Sequence, residues 1–112
     1  MLGRTQAVQV WARAQPTDLR LGFHGLAATV RAEFHREVHD GDLFLFVNRR
    51  RTSAKILLWD GSGLCIYSKK LAPGRGRFAQ LWDGALGGAP LCLTPAELNL
   101  FLERPVQSHR RK

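Results

Sequence analysis

The stretch Lys55-Ile56-Leu57-Leu58-Trp59-Asp60-Gly61-Ser62-Gly63-Leu64-Cys65-Ile66-Tyr67-Ser68-Lys69 decides the fold. Two apolar runs flank an Asp-Gly pair, and Asp-Gly between such runs is a strong signal for a β-hairpin. With a loop of two or four residues, Leu57, Trp59, Leu64 and Ile66 share one face of the hairpin. Ile56, Leu58, Cys65 and Tyr67 then share the other. Both faces are apolar, so each needs cover from helices, from other chain segments or from a partner protein.

Upstream, Leu43-Phe44-Leu45-Phe46-Val47 is a continuous apolar run bounded by Gly41 and Asn48, which reads as a strand buried on both sides. Val8–Ala12 alternates and reads as a short first strand. Between them, Gln15-Pro16-Thr17-Asp18 reads as a turn that feeds a helix, with Thr17 or Asp18 as its cap. Phe23, Leu26, Ala27, Val30 and Phe34 recur at helical spacing and form its apolar stripe. Asp40-Gly41-Asp42 ends that helix. Downstream, Phe78–Trp82 is expected as a further strand and Leu91–Leu93 as a return to the sheet edge. Thr94-Pro95-Ala96-Glu97 carries the cap, the first-turn proline and the N3 glutamate of a helix start, and Leu98, Phe101 and Leu102 form its buried face. The expected class is α+β: a mainly antiparallel sheet of four to five short strands, one long helix and a short C-terminal helix.

A chain of 112 residues matches one domain. That domain is expected over residues 1–105, with a basic disordered tail at 106–112. No apolar run approaches the roughly 18 residues of a membrane span, and Met1–Gln6 lacks the apolar stretch of a secretory signal. A cytoplasmic protein without membrane contact is expected. Cys65 and Cys92 form no disulfide framework and are expected as small buried side chains.

The formal net charge is +8, and its position matters more than its size. Residues 1–42 carry five basic and five acidic side chains, whereas residues 43–77 carry eight basic side chains against Asp60 alone. Those eight are Arg49, Arg50, Arg51, Lys55, Lys69, Lys70, Arg75 and Arg77. In an antiparallel meander they converge on one end of the sheet, opposite the Asp60 turn. Guanidinium forks on a firm sheet edge suit phosphate oxygens, with Thr52 and Ser53 as further donors. The bland alternative is a solvated face that keeps the protein soluble. No recognition helix or zinc finger accompanies the cluster, so phosphate contact without base reading is the expectation.

Signals for catalysis are weak by comparison. Asp18 and Asp60 occupy positions where an aspartate satisfies local backbone donors. His35 and His39 are four apart but have no third ligand at metal spacing. The glycines at 74–76 and 84–88 lack the Lys-Ser/Thr of a phosphate cradle. Cys65 has no nucleophilic partner in sequence. No cofactor is implied. Trp11, Trp59 and Trp82 read as core aromatics more readily than as stacking platforms.

Val10-Trp11, Thr17-Asp18-Leu19-Arg20, Gly22-Phe23 and Gly25-Leu26 form one set of recognisable words. Leu43–Arg50, Lys55–Leu64, Lys69-Lys70-Leu71 and Gly76-Arg77-Phe78 form a second. Together, over residues 8–102, they resemble the TnpB-type second-reading-frame protein of the insertion-sequence-66 class of bacterial transposable elements. The chain departs from that pattern at His24, after Phe78 and at Glu103-Arg104-Pro105. The resemblance implies a small accessory protein acting beside the transposase of the same element. The leading expectation is a non-catalytic protein that holds DNA phosphates. The alternative is a protein-interaction module that docks the transposase, or pairs with itself, through Leu57, Trp59 and Tyr67 of the apolar hairpin.

Overall fold

The computed structural model describes residues 8–82 and 88–107. Its elements are β1 (Val10–Ala12), α1 (Phe23–Thr29) running on as a π-helical segment (Val30–Phe34), a 3₁₀ turn (Val38–Asp40), β2 (Leu43–Val47), β3 (Ser53–Trp59), β4 (Leu64–Lys70), β5 (Leu91–Leu93) and α2 (Pro95–Glu103). The five strands form one sheet in the order β4-β3-β2-β1-β5. All neighbours are antiparallel except β1 and β2, which run parallel, Val10 opposite Leu43 and Ala12 opposite Leu45. Parallel neighbours need a crossover connection, and the α1 segment supplies it. The class is the expected α+β.

The central hairpin takes the four-residue loop. Trp59 pairs with Leu64 and Leu57 with Ile66, so alternate residues separate onto two faces. On one face Leu26, Val30, Phe34 and Val38 pack on Phe44, Phe46 and Leu57, with Trp11, Trp59, Leu64 and Ile66 at the margin. Phe34 meets Phe44 and Phe46 edge-on at centroid distances of 5.4 and 5.8 Å. On the other face Leu45, Val47, Ala54 and Ile56 pack under Leu71, Phe78, Leu98 and Phe101. Each fully buried large apolar side chain contributes about 1.5–3 kcal/mol, and β2, buried on both sides from Phe44 to Val47, joins the two cores.

Several local expectations are corrected. The helix starts at Phe23 with Gly22 as its cap residue, five positions after Thr17. Asp18 accepts from the Arg20 backbone N–H and so closes a turn. Phe23 is 46% exposed and leaves the apolar stripe to Leu26, Val30 and Phe34. The helical run ends at His35, which takes a left-handed φ of 56° well before Gly41. Cys65 is half-buried and Cys92 exposed, so neither is a core residue.

The segment after β4 is also not the expected strand. Arg77 alone pairs, exchanging backbone hydrogen bonds with Val106 at 2.9 and 2.7 Å. Phe78 then drops into the core and stacks on Phe101 with centroids 5.0 Å apart. The expected tail therefore begins with a residue bonded to the domain, and residues 108–112 lie outside the described ones. α2 carries the capping box the sequence announces: Thr94 Oγ1 accepts from Glu97 N, and Glu97 Oε1 accepts from Thr94 N.

Gly76 sits where the Arg77–Val106 bridge closes, with a φ of +88° and no room for a Cβ beside the Val106 carbonyl. Gly74 shares the left-handed backbone, at +81°, but faces open space. Gly74→Ala is therefore expected to cost only the backbone strain, about 1–2 kcal/mol. Gly76→Ala is expected to lose roughly a further 1–3 kcal/mol as the bridge opens and leaves its polar groups unpaired. Urea denaturation of the two variants checks this, and equal losses would contradict it.

Candidate nucleic-acid interface

The β2–β3 connection is closed by Asn48. Its Oδ1 accepts from Thr52 N at 2.9 Å and Ser53 N at 3.0 Å, and its Nδ2 donates to Thr52 Oγ1 at 3.2 Å. Its backbone adds bonds from Asn48 N to Ser53 O and from Arg51 N to Asn48 O. With the turn satisfied internally, Arg49 and Arg50 stand exposed at its corners. Arg51 differs. It takes a left-handed φ of 60°, its carbonyl accepts from Phe78 N at 2.7 Å, and its Nη1 donates to Phe78 O at 3.0 Å. Arg51 thus anchors the core-covering segment and does not join Arg49 and Arg50.

The segment after β1 runs alongside the end of β2, through Arg13 N to Leu45 O and Thr17 N to Val47 O. Arg13 braces it. The Arg13 guanidinium donates to Pro16 O, Thr17 Oγ1 and both oxygens of Glu33. Lys55 Nζ donates to Leu19 O at 2.7 Å and fixes the segment against β3. The result is an open groove of about 760 Å³ between Pro16–Arg20, the Asn48 turn and the ends of β3 and β4. Its basic side chains are Arg20, Arg49, Arg50, Lys55 and Lys70, its hydroxyls include Ser53 and Ser68, and its one acid is Asp18. The Arg20 guanidinium and backbone N–H bond both Asp18 oxygens, at 2.7–3.3 Å, and hold that carboxyl at about 2, below its ordinary 3.8.

The remaining expected residues are distributed by the strand pleat. Lys69 and Lys70 are consecutive on β4, so their side chains leave opposite faces. Lys69 Nζ donates to Leu102 O on the α2 side at 2.8 Å. There a second depression, about 480 Å³, is lined by Lys69, Lys70, Arg75 and Arg104 together with Glu103. Arg77 is exposed and lines neither groove. The cluster expected as one patch is thus two grooves on opposite faces that meet at Lys70. Sequence reading missed Arg20 and Arg104. Arg20 had a signal in the Thr17–Arg20 word, which the fold carries into the first groove.

The residues expected to touch a protein partner are placed differently. Leu57 is fully buried beneath α1 and offers no surface. Trp59 is half-buried against the same core, with the His39 ring 4.4 Å from its own. Tyr67 is 48% exposed on β4. Of the other aromatics, Trp11 donates to Asp42 Oδ2 and lies under the Arg36 guanidinium at 3.8 Å, while Trp82 packs on the second core. Asp60 holds its own hairpin turn, accepting from Ser62 N, Ser62 Oγ and Gly63 N, and these bonds hold its carboxyl at about 2. Among the described residues no three of His, Cys, Asp and Glu are grouped to hold a metal, and no helix is long and apolar enough to cross a membrane.

The family model for IS66 Orf2-like proteins matches residues 8–109, which include both grooves. The chain belongs to the IS66 Orf2-like family. This is a transposition accessory family and not a known catalytic one. The chain is 39% identical over 102 residues to the uncharacterized protein y4hO of Sinorhizobium fredii, covering 91% of this chain and 84% of the relative. It is 33% identical over 90 residues to the uncharacterized protein y4jC of the same organism, covering 80% and 77%. No solved structure matches the IS66 Orf2-like chain.

Two outcomes follow for this IS66 Orf2-like protein. Asn48→Ala leaves two backbone donors of the turn without partners and is expected to cost about 1–3 kcal/mol in urea denaturation. The Asp18 carboxyl is expected to titrate by NMR at about 2, and Arg20→Ala to return it toward 3.8. Because the folded value is depressed, any stabilisation from this pair is present at neutral pH and lost as pH falls through about 2. Asp18 is exposed, so that loss is small.

Proposed function

We propose that this IS66 Orf2-like protein serves transposition as a non-catalytic subunit that holds DNA through its phosphates, beside a separate transposase. The observation that carries the reading is the first groove. Arg20, Arg49, Arg50, Lys55 and Lys70 come from three separate stretches of chain onto one open surface, against a single acid already bonded to Arg20. Nucleic-acid backbones present a line of negative charge, and arginine forks with hydroxyl donors match it without reading bases. The two aspartates a catalytic reading would use are engaged locally, Asp18 by Arg20 and Asp60 by its own turn.

Docking of a transposase through the apolar hairpin has less support. Most of its apolar side chains are covered within the chain, by α1 on one side and over β3 by Phe78 with α2 on the other, while Tyr67 on β4 stays exposed.

Arg49→Ala combined with Arg50→Ala is expected to weaken binding to a DNA duplex at low salt. The slope of log K against log salt is expected to flatten by about 0.9 for each phosphate that is no longer neutralised. Arg51→Ala is expected to lower stability and leave that slope unchanged, because its guanidinium bonds the Phe78 carbonyl. Titration of labelled DNA at several salt concentrations decides it. An unchanged slope in the Arg49/Arg50 variant overturns the reading.

A further inference from the structure

We infer that the two basic grooves form one track for single-stranded nucleic acid, which passes around the open edge of β4. This deepens the reading of the first groove as a phosphate site and rests on it. Three observations carry it. Lys70 lines both grooves, so they adjoin at the end of β4 and are not two remote patches. β4 is the terminal strand of the sheet, with β3 as its one strand partner among the described residues, so no neighbouring strand blocks passage from face to face. Tyr67 is 48% exposed on β4, two residues before Lys69 and therefore on the same face, about 6.6 Å along the strand.

The stiffness of the ligand makes the selection. Duplex DNA has a persistence length of about 50 nm and resists bending over a few base pairs. It cannot follow a path that turns around the edge of a single sheet. It can lie in the first groove but cannot fill the second at the same time. A single strand bends freely and exposes unpaired bases, and an exposed aromatic ring beside a basic groove is how sequence-independent single-strand sites hold them. Arg75 and Arg104 would take the phosphates beyond Lys70, and Tyr67 would stack a base near Lys69. The Lys69 ammonium bonds the Leu102 carbonyl with one of its three donors, which leaves two for a phosphate.

The test uses the full chain with a fluorescent oligothymidylate of about 16 nucleotides and a duplex of equal length, titrated at matched ionic strength. Tighter binding of the single strand is expected. Tyr67→Ala is expected to weaken single-strand binding by roughly 5- to 100-fold and leave duplex binding unchanged, with Tyr67→Phe restoring it. Arg75→Ala with Arg104→Ala is expected to flatten the salt slope for the single strand alone. Equal affinities for the two ligands, or Tyr67→Ala weakening both alike, overturn the track while leaving the first groove a duplex site. Binding of neither ligand overturns the phosphate reading itself, and the track with it.

Discussion

The Asn48 carboxamide is the contact on which the rest of the arrangement depends. It accepts from two backbone N–H groups and donates to Thr52 Oγ1, so the sharp connection from β2 to β3 needs nothing from the side chains of Arg49 and Arg50. Arg49 and Arg50 are therefore left to solvent. Arg51 is forced into left-handed backbone, which aims its carbonyl and guanidinium at Phe78. One turn thus sends two arginines outward and uses the third to pin the segment that covers the second core. Three adjacent residues of the same type do two different jobs because the turn gives them different backbone.

The sheet imposes the second constraint. A central strand with no polar position must be covered on both sides, and among the described residues one helical crossover and one short C-terminal helix are there to do it. The crossover covers the face bearing Phe44 and Phe46. The other face needs Leu71 and Phe78 from irregular chain as well as α2. That segment is held by backbone hydrogen bonds at both ends, Leu71 to Thr52 and Arg77 with Val106, in place of a ladder. Its cover fills the core side of the hairpin, and the charges collect where the cover stops, at the β3–β4 end.

What was legible in the sequence was what short-range chemistry determines. The Asp60–Gly63 loop fixed which residues share a face, and the Thr94–Glu97 words fixed the start of α2, because each is settled by bonds within four residues. Phe78–Trp82 looked like a strand because its composition suits one, but its partners lie in α2 and the Asn48 turn, far off in sequence. The helix was expected at Thr17 because Thr and Asp cap helices. Here Thr17 is held by Arg13 and the Val47 carbonyl, and the helix waits for Gly22. The basic cluster was legible as a cluster but not as two grooves. The parity of Lys69 and Lys70 was available from the hairpin, whereas the arrival of Arg20 and Arg104 required the tertiary fold.

An aspartate in a groove that suits phosphates looks like a conflict, and the physical terms resolve it. Asp18 stays ionised throughout the neutral range, so it lowers the charge of the groove by a fixed amount and does not act as a switch. Its bond to Arg20 is exposed on both sides. Such exposed pairs contribute little, because water competes with each partner. A phosphate bound at Arg20 would therefore displace little. The groove wall itself does not move with it, since Leu19 is tied to Lys55 and Thr17 to Arg13. Asp18 thus restrains a long, otherwise rotatable side chain within the groove, at the cost of one charge among five opposite ones.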